Sequence, residues 1–133
     1  MKYLLDTNAC VGLLRGSSPR VAEQLRRTKP TEVVLCSIVV AELLFGALKS
    51  ARKTENLRAV RTFTSRFASL PFDDQAALHY ARVRVELEAA GRLIEPNDLI
   101  IASTALASGL TLVTHNVSEF GRVAGLHVED WER

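Results

Sequence analysis

Residues 33–48 read Val-Val-Leu-Cys-Ser-Ile-Val-Val-Ala-Glu-Leu-Leu-Phe-Gly-Ala-Leu, with a single formal charge, that of Glu42. Val33 to Cys36 is a β-branched apolar run, which predicts a buried strand. Ser37 is placed to cap the helix that follows and carries Glu42. A strand leading straight into an apolar helix is the repeating unit of a layered α/β fold. Comparable units lie on both sides. Upstream, Tyr3-Leu4-Leu5 is too short for a helix and suits a buried strand, with a helical stretch from about Asn8. Downstream, Pro96-Asn97-Asp98 opens a helix whose body, Leu99 to Leu106, is apolar all round and therefore central. Gly109 ends it, Leu110 to Val113 reads as another buried strand, and Leu126-His127-Val128 as an edge strand.

Between these units the punctuation is helical. Gly16-Ser17-Ser18-Pro19 breaks the first helix, and Ser18 is placed to cap the next with Pro19 at its first position. Leu57, Val60, Phe63, Phe67 and Leu70 predict an amphipathic helix over about 52–70, decorated by Arg52, Lys53, Arg58, Arg61 and Arg66. Ala76, Tyr80, Val83, Leu87 and Ala90 predict another, with Gly91 as its C-cap. Strands alternating with helices give the fold class: α/β, a central mostly parallel β-sheet flanked by helices, in one domain spanning 1–133.

Composition narrows the setting. At 133 residues, 47% hydrophobic and 24% charged, the chain has the make-up of an ordinary globular protein. Asp6 cuts the apolar N-terminal stretch short, so no signal peptide is expected, and no run is long enough to span a membrane. Cys10 and Cys36 lie in apolar runs without metal-ligand spacing and read as buried reduced thiols. A cytoplasmic protein is expected. Net charge is +2, but residues 1–66 hold 12 Lys/Arg against 5 Asp/Glu, whereas residues 67–133 hold 5 against 10. Such asymmetry fits a polyanion-binding face as well as a solvated surface.

The chemistry-bearing signal is where the carboxylates fall. Asp6 is the one charge between Tyr3 and Leu14, Glu42 the one between Val33 and Leu48, and Asp98 heads a stretch to Asn116 without acid, Lys or Arg. A buried carboxylate costs several kcal/mol, on the order of magnitude, unless it is paired or binds a metal. Taken singly, Asp98 reads equally as a helix N-cap and Asp6 as an Asx-turn at a strand end. Glu42, flanked by Val39, Val40, Leu43 and Leu44, is the hardest to solvate. In a parallel sheet, ligands bind beyond the carboxyl ends of the strands. Three acids gathered there suit a hard divalent cation such as Mg2+ or Mn2+, and that suits phosphodiester hydrolysis.

These segments resemble the motifs of PIN-domain ribonucleases, in particular the VapC toxins of toxin–antitoxin pairs. The likeness lies in Leu5-Asp6-Thr7-Asn8, in Ser37 to Gly46 around Glu42, in Pro96 to Ala102 around Asp98, and in Thr114 to Phe120. The tail Arg122 to Trp131 is similar as well, so the resemblance spans the chain in motif order. It implies a PIN-like fold and a Mg2+- or Mn2+-dependent endoribonuclease, the toxin of a type II pair. A small VapB-like antitoxin and a homodimeric state are implied too. By position, Asp6 and Asp98 are implied as metal ligands, with Glu42 completing the cluster. A fourth catalytic position falls on Asn116 or Glu119, of which only Glu119 carries charge. Thr7, Asn8, Ser37, Thr114 and Asn116 are implied to orient carboxylates and water.

An acidic site needs basic surroundings to hold RNA. Arg15, Arg52, Lys53 and Arg58 are the candidate phosphate contacts, alongside Arg20, Arg26 and Arg27. No aromatic residues interleave with them, so stacking of several single-stranded bases is not expected; the resemblance implies a structured RNA of translation, a transfer RNA or a ribosomal RNA loop. His79, His115 and His127 show no metal-ligand spacing. Two other readings compete: an Asp-based phosphotransfer domain, which wants a second acid beside Asp6 where Thr7 and Asn8 stand, and a PIN-fold RNA-binding module without activity.

Overall fold

The computed structural model describes residues 1–133 and builds one five-stranded sheet. In chain order the elements are β1 (Tyr3–Leu5), α1 (Thr7–Arg15), α2 (Pro19–Arg27), β2 (Val33–Cys36), α3 (Ser37–Lys49) and α4 (Lys53–Thr64). There follow β3 (Ala68–Leu70), α5 (Asp74–Ala89), α6 (Pro96–Ala107), β4 (Thr111–Val113), α7 (Val117–Phe120) and β5 (Val128–Glu129). The strand order is β3-β2-β1-β4-β5, and every pair is parallel. This bears out the expected α/β class and goes further, since no strand runs against the rest.

The three inner strands are the apolar runs of the sequence, for a physical reason. Strands of a parallel sheet are covered by helices on both faces, so alternation disappears and each reads as unbroken hydrophobic sequence. Leu4, Leu5, Leu35 and Leu112 are fully buried, whereas the edge strands β3 and β5 are largely exposed. The chain winds outward from β1 to β2 and β3, then crosses back to lay β4 on the other side of β1. That reversal opens a crevice between the carboxyl ends of β1 and β4. The ladder carries Asp6 into it, since the Asp6 amide donates to the Val113 carbonyl at 3.1 Å.

Helix α6 is the central helix expected: Ile101, Ala102, Ser103, Thr104 and Ala105 are all buried. Its two buried hydroxyls donate back along the helix, Ser103 to the Leu99 carbonyl at 2.6 Å and Thr104 to that of Ile100 at 2.9 Å. Helix α5 ends as predicted. Gly91, at φ 64°, lets its own amide reach the Glu88 carbonyl and that of Arg92 reach Leu87. Cys10 and Cys36 are free and buried, and burial pushes the Cys36 thiol up to about 11. No helix is long and apolar enough to cross a membrane.

Three local expectations are corrected. The helix over 52–70 stops at Thr64, and Ala68–Leu70 becomes β3, pairing Val34 with Ala68 and Cys36 with Leu70. The helical spacing of Phe63 and Phe67 survives as a ring contact at 5.2 Å, but the open edge of β2 claims the residues beyond. Ser37 is not the cap of α3 but its first residue, and its hydroxyl donates to the Leu70 carbonyl at 3.3 Å, tying α3 to β3. Ser18 holds the cap position of α2 without a capping hydrogen bond. Its side chain instead lies against Gly12, where a Cβ would collide with the Ser18 hydroxyl.

Candidate active site

Asp6 leaves the end of β1 and becomes the N-cap of α1, its Oδ1 accepting the Ala9 amide at 2.8 Å. It is 4% exposed. Burial pushes its carboxyl above the ordinary aspartate value, against hydrogen bonds from Thr114 and the Ala9 amide that favour the charge; Glu132 and Glu42 add repulsion. Thr114, itself buried at the end of β4, also accepts the Asn116 amide at 3.0 Å. One hydroxyl thus ties the crevice floor to the loop before α7.

Glu42 projects from α3, half-buried. Its Oε1 accepts the Thr7 hydroxyl at 2.6 Å and its Oε2 accepts Asn97 Nδ2 at 3.4 Å. Both donors are neighbours of an acid, Thr7 of Asp6 and Asn97 of Asp98. The bonds therefore draw three sequence-distant segments to one place. Asn97 is a site residue that sequence reasoning passed over, although it stood inside the quoted Pro-Asn-Asp stretch.

Asp98 is not a cap. The N-cap of α6 is Glu95, whose Oε2 accepts the amides of Asn97 at 3.0 Å and Asp98 at 3.2 Å. With its own amide already satisfied by a different acid, the Asp98 side chain is left for the crevice. Its carboxyl is pushed up to about 7, first by burial, then by a hydrogen bond to Glu119 and by the charges of Glu119, Glu95 and Asp6. Glu119 moves the other way. Its burial is outweighed by hydrogen bonds from Asn116, the Glu95 amide and Asp98, and by the charge of Arg122, which hold it below the usual glutamate range. The Glu95 amide lies 3.1 Å from Glu119 Oε1, and Asn116 Nδ2 donates to Oε2 at 2.8 Å. Asp98 and Glu119 therefore titrate as a pair, with Asp98 the favoured site for a proton.

Asn116 and Glu119 do not compete for one position; they bond each other, and Glu119 meets Asp98. Ser37 stays out of the cluster, occupied by Leu70, and Asn8 is exposed with no side-chain bond to the acids. Among the basic candidates, Arg15 lines a groove of about 240 Å³ between α1, α3 and α4 that has Glu42 in its wall. Arg52 is exposed and paired with Glu55 at 3.3 Å. Arg58 of α4 and Arg66, just beyond that helix, line a separate pocket, and Lys53 is exposed. No three of the four acids bring ligand oxygens within 4.8 Å of one another; the group that does is His115, Asp130 and Glu132. Asp6, Glu42 and Glu119 are each tethered to protein donors, whereas Asp98 is bonded to Glu119.

The description "PIN domain" matches residues 3–126 of this chain. A tRNA(fMet)-specific endonuclease VapC of Salmonella typhimurium is 37% identical over 131 residues, covering 98% of both proteins. Ribonuclease VapC2 of Rickettsia felis is 38% identical over 134 residues, covering all of both. Among solved structures, DNA-bound VapBC from Salmonella typhimurium superposes with a TM-score of 0.93 at 37% identity, over 98% of each chain.

Proposed function

This chain belongs to the PIN-domain family of VapC ribonucleases, and from that premise we propose that it is a cytoplasmic endoribonuclease, acting as one domain over 1–133. In this reading it depends on Mg2+ or Mn2+ and is the toxin of a type II pair, with a transfer RNA or a ribosomal RNA loop as its substrate. The observation that carries the reading is convergence. Asp6, Glu42, Asp98 and Glu119 come from four separate segments and are drawn together at the carboxyl ends of the sheet by bonds between those segments.

The donor set fits a hard cation. It is all oxygen, and burial together with the charges of Glu119, Glu95 and Asp6 pushes the Asp98 carboxyl up to about 7, a cost that a bound cation would relieve. Asp6 and Asp98 would hold the ion, with Glu42 beside them. When bound, such an ion polarises a phosphodiester and lowers the pKa of an attacking water. The chain's own residues do the rest. Thr7 and Asn97 fix both oxygens of Glu42, so it cannot swing away. Thr114 orients Asp6, and Asn116 orients Glu119. Glu119, held ionised, is the group able to take a proton from water, and hydrolysis in this sense leaves a 5′-phosphate and a 3′-hydroxyl.

A partner fits the same map. The groove between α1, α3 and α4 is lined by Val11, Leu14, Leu43 and Val60 and reaches Glu42, while Phe45 and Leu48 of α3 stand exposed. An antitoxin of the VapB kind would lay apolar segments there and place a basic side chain against Glu42. A panel of transfer and ribosomal RNAs incubated with Mg2+, with cut sites mapped, tests the activity. Specific cleavage that stops in chelator is expected; cleavage undiminished in excess chelator would overturn the metal dependence, and no cleavage of any RNA would overturn the nuclease reading.

A further inference from the structure

The side chains of His115, Asp130 and Glu132 meet beside the crevice, where the Glu132 charge is felt by Asp6, and nothing in the proposed reaction uses them. Their meeting follows from the sheet. Strand β5 lies parallel to β4 with Val113 opposite Glu129, so the residues just past both strand ends emerge side by side. His115 Nδ1 lies 3.0 Å from Asp130 Oδ2 and 3.5 Å from Glu132 Oε2, and the three ligand atoms all fall within 4.8 Å of one another. Two ligands each about 2.1 Å from a shared ion, at octahedral or tetrahedral angles, stand roughly 3.0–3.4 Å apart. The spacing is thus that of ligands around a metal as much as of an ion pair.

The frame is rigid where it matters. Trp131 sits between the two acids and is buried, edge-on to Tyr3 with ring centroids 5.1 Å apart. The Asp130 side chain is only 7% exposed. Its Oδ1 is occupied by the Glu132 amide at 2.9 Å, which leaves Oδ2 for His115. Some burial raises the Asp130 carboxyl, but hydrogen bonds from the Glu132 amide and His115, with the charges of His115 and Arg133, hold it below the usual range. Its Oδ2 thus faces His115 Nδ1 as an acceptor. The imidazole itself is 66% exposed and open to solvent. The nearest competing cation is Arg133, 3.4 Å from Asp130 Oδ2 on a side chain 79% exposed, which can give way without unpacking anything.

We propose that His115, Asp130 and Glu132 form a second cation site, beside the acid crevice but sharing no ligand with it, for a borderline transition metal of the Zn2+ class. One imidazole nitrogen with two carboxylate oxygens suits Zn2+ better than Mg2+, which prefers oxygen alone and keeps its waters. Binding places the metal on Nδ1 while the imidazole keeps one proton on Nε2; only an imidazolium gives up its second proton to solvent. Water completes the coordination on the exposed side.

The test titrates Zn2+ into the full chain with millimolar Mg2+ present to fill the acid crevice, following the imidazole resonances of His79, His115 and His127. His115 is expected to shift and saturate near one equivalent, with a dissociation constant of about 10 μM or tighter, while His79 and His127 stay in place. His115→Gln is expected to abolish this binding, and Glu132→Gln to weaken it at least about tenfold. Glu132→Gln leaves Trp131 and its packing untouched, so a misfolded tail cannot mimic the result. His115 resonances unmoved at millimolar Zn2+, or one-equivalent binding that survives His115→Gln, would leave only an ion pair and overturn the site. Binding is read without RNA, so the outcome is independent of whether the chain is a nuclease.

Discussion

Two pairs of acids line the same crevice and are held in opposite ways. Asp6 and Glu42 are bound by neutral donors: the Ala9 amide and Thr114 hydroxyl on one, Thr7 and Asn97 on the other. Asp98 and Glu119 are bound to each other, through a proton. The first pair is fixed in place by groups that carry no charge, and the second by contact between two carboxyls. Nothing in the residue types makes this division. Neutral donors outnumber charges around one pair, and charges crowd the other.

The largest expected effect comes from removing a charge without removing its scaffold. Asn caps helices as well as Asp does, so Asp6→Asn keeps the α1 cap while losing a ligand charge. Cleavage in Mg2+ should fall by about a thousandfold, equivalent to roughly 4 kcal/mol of transition-state stabilisation, with an unchanged circular dichroism spectrum. Asp98→Asn should match it. Wild-type rates in either variant would remove both acids from the chemistry.

Next in size is Glu119→Gln, expected to slow cleavage by about a hundredfold and to raise the Mg2+ concentration required. It also sharpens the contrast between the pairs. Burial first, and then Glu119, pushes the Asp98 carboxyl up to about 7, so protons compete with the metal and activity at limiting Mg2+ should decline as pH falls through that region. In Glu119→Gln the repelling charge is gone, and this decline should move to lower pH. A pH–rate profile that keeps its acid limb in the variant would mean that the two do not share a proton.

Smaller still is the effect of loosening the first pair. Thr7→Val keeps shape but removes the 2.6 Å bond to Glu42, and a loss of about tenfold in activity is expected, read mainly as weaker metal affinity. If Thr7→Val and Asn97→Ala together cost no more than either alone, Glu42 is positioned by packing rather than by its donors.

The smallest effect is on stability and has the opposite sign. Asp98 has a folded carboxyl at about 7 against an ordinary 3.8, so between these values the folded chain keeps a proton that the unfolded chain gives up. Stability from this group is full below about pH 4 and is lost as pH rises through 7. Asp98→Asn should therefore stabilise the protein in chelator at pH 8 by on the order of 1 kcal/mol, discounted because the group is half-exposed. Thermal unfolding at pH 8 and pH 4 checks this: the gain should vanish at the lower value.

Local sequence determined the inner strands, the central helix and the acids themselves, because each is a property of one short run. An apolar stretch is buried wherever it ends up, and a lone carboxylate inside it stands out before any fold is known. Tertiary structure decided what such runs cannot encode. Glu95 and Asp98 are both acids at the start of α6, and only the three-dimensional placement of the helix shows that Glu95 takes the cap and frees Asp98. Helical spacing over 52–70 is real, yet the unpaired edge of β2 turned its last residues into β3, since an open ladder offers hydrogen bonds that a helix end does not. Whether Asn116 or Glu119 joins the site was open in one dimension and dissolved in three, where both do. His115 and Asp130 lie 15 residues apart, with no spacing that marks them, and meet because two parallel strands end together. Pairing across a sheet and repulsion between converging charges arise only once distant segments are neighbours, so they leave no trace in the pattern of any one segment.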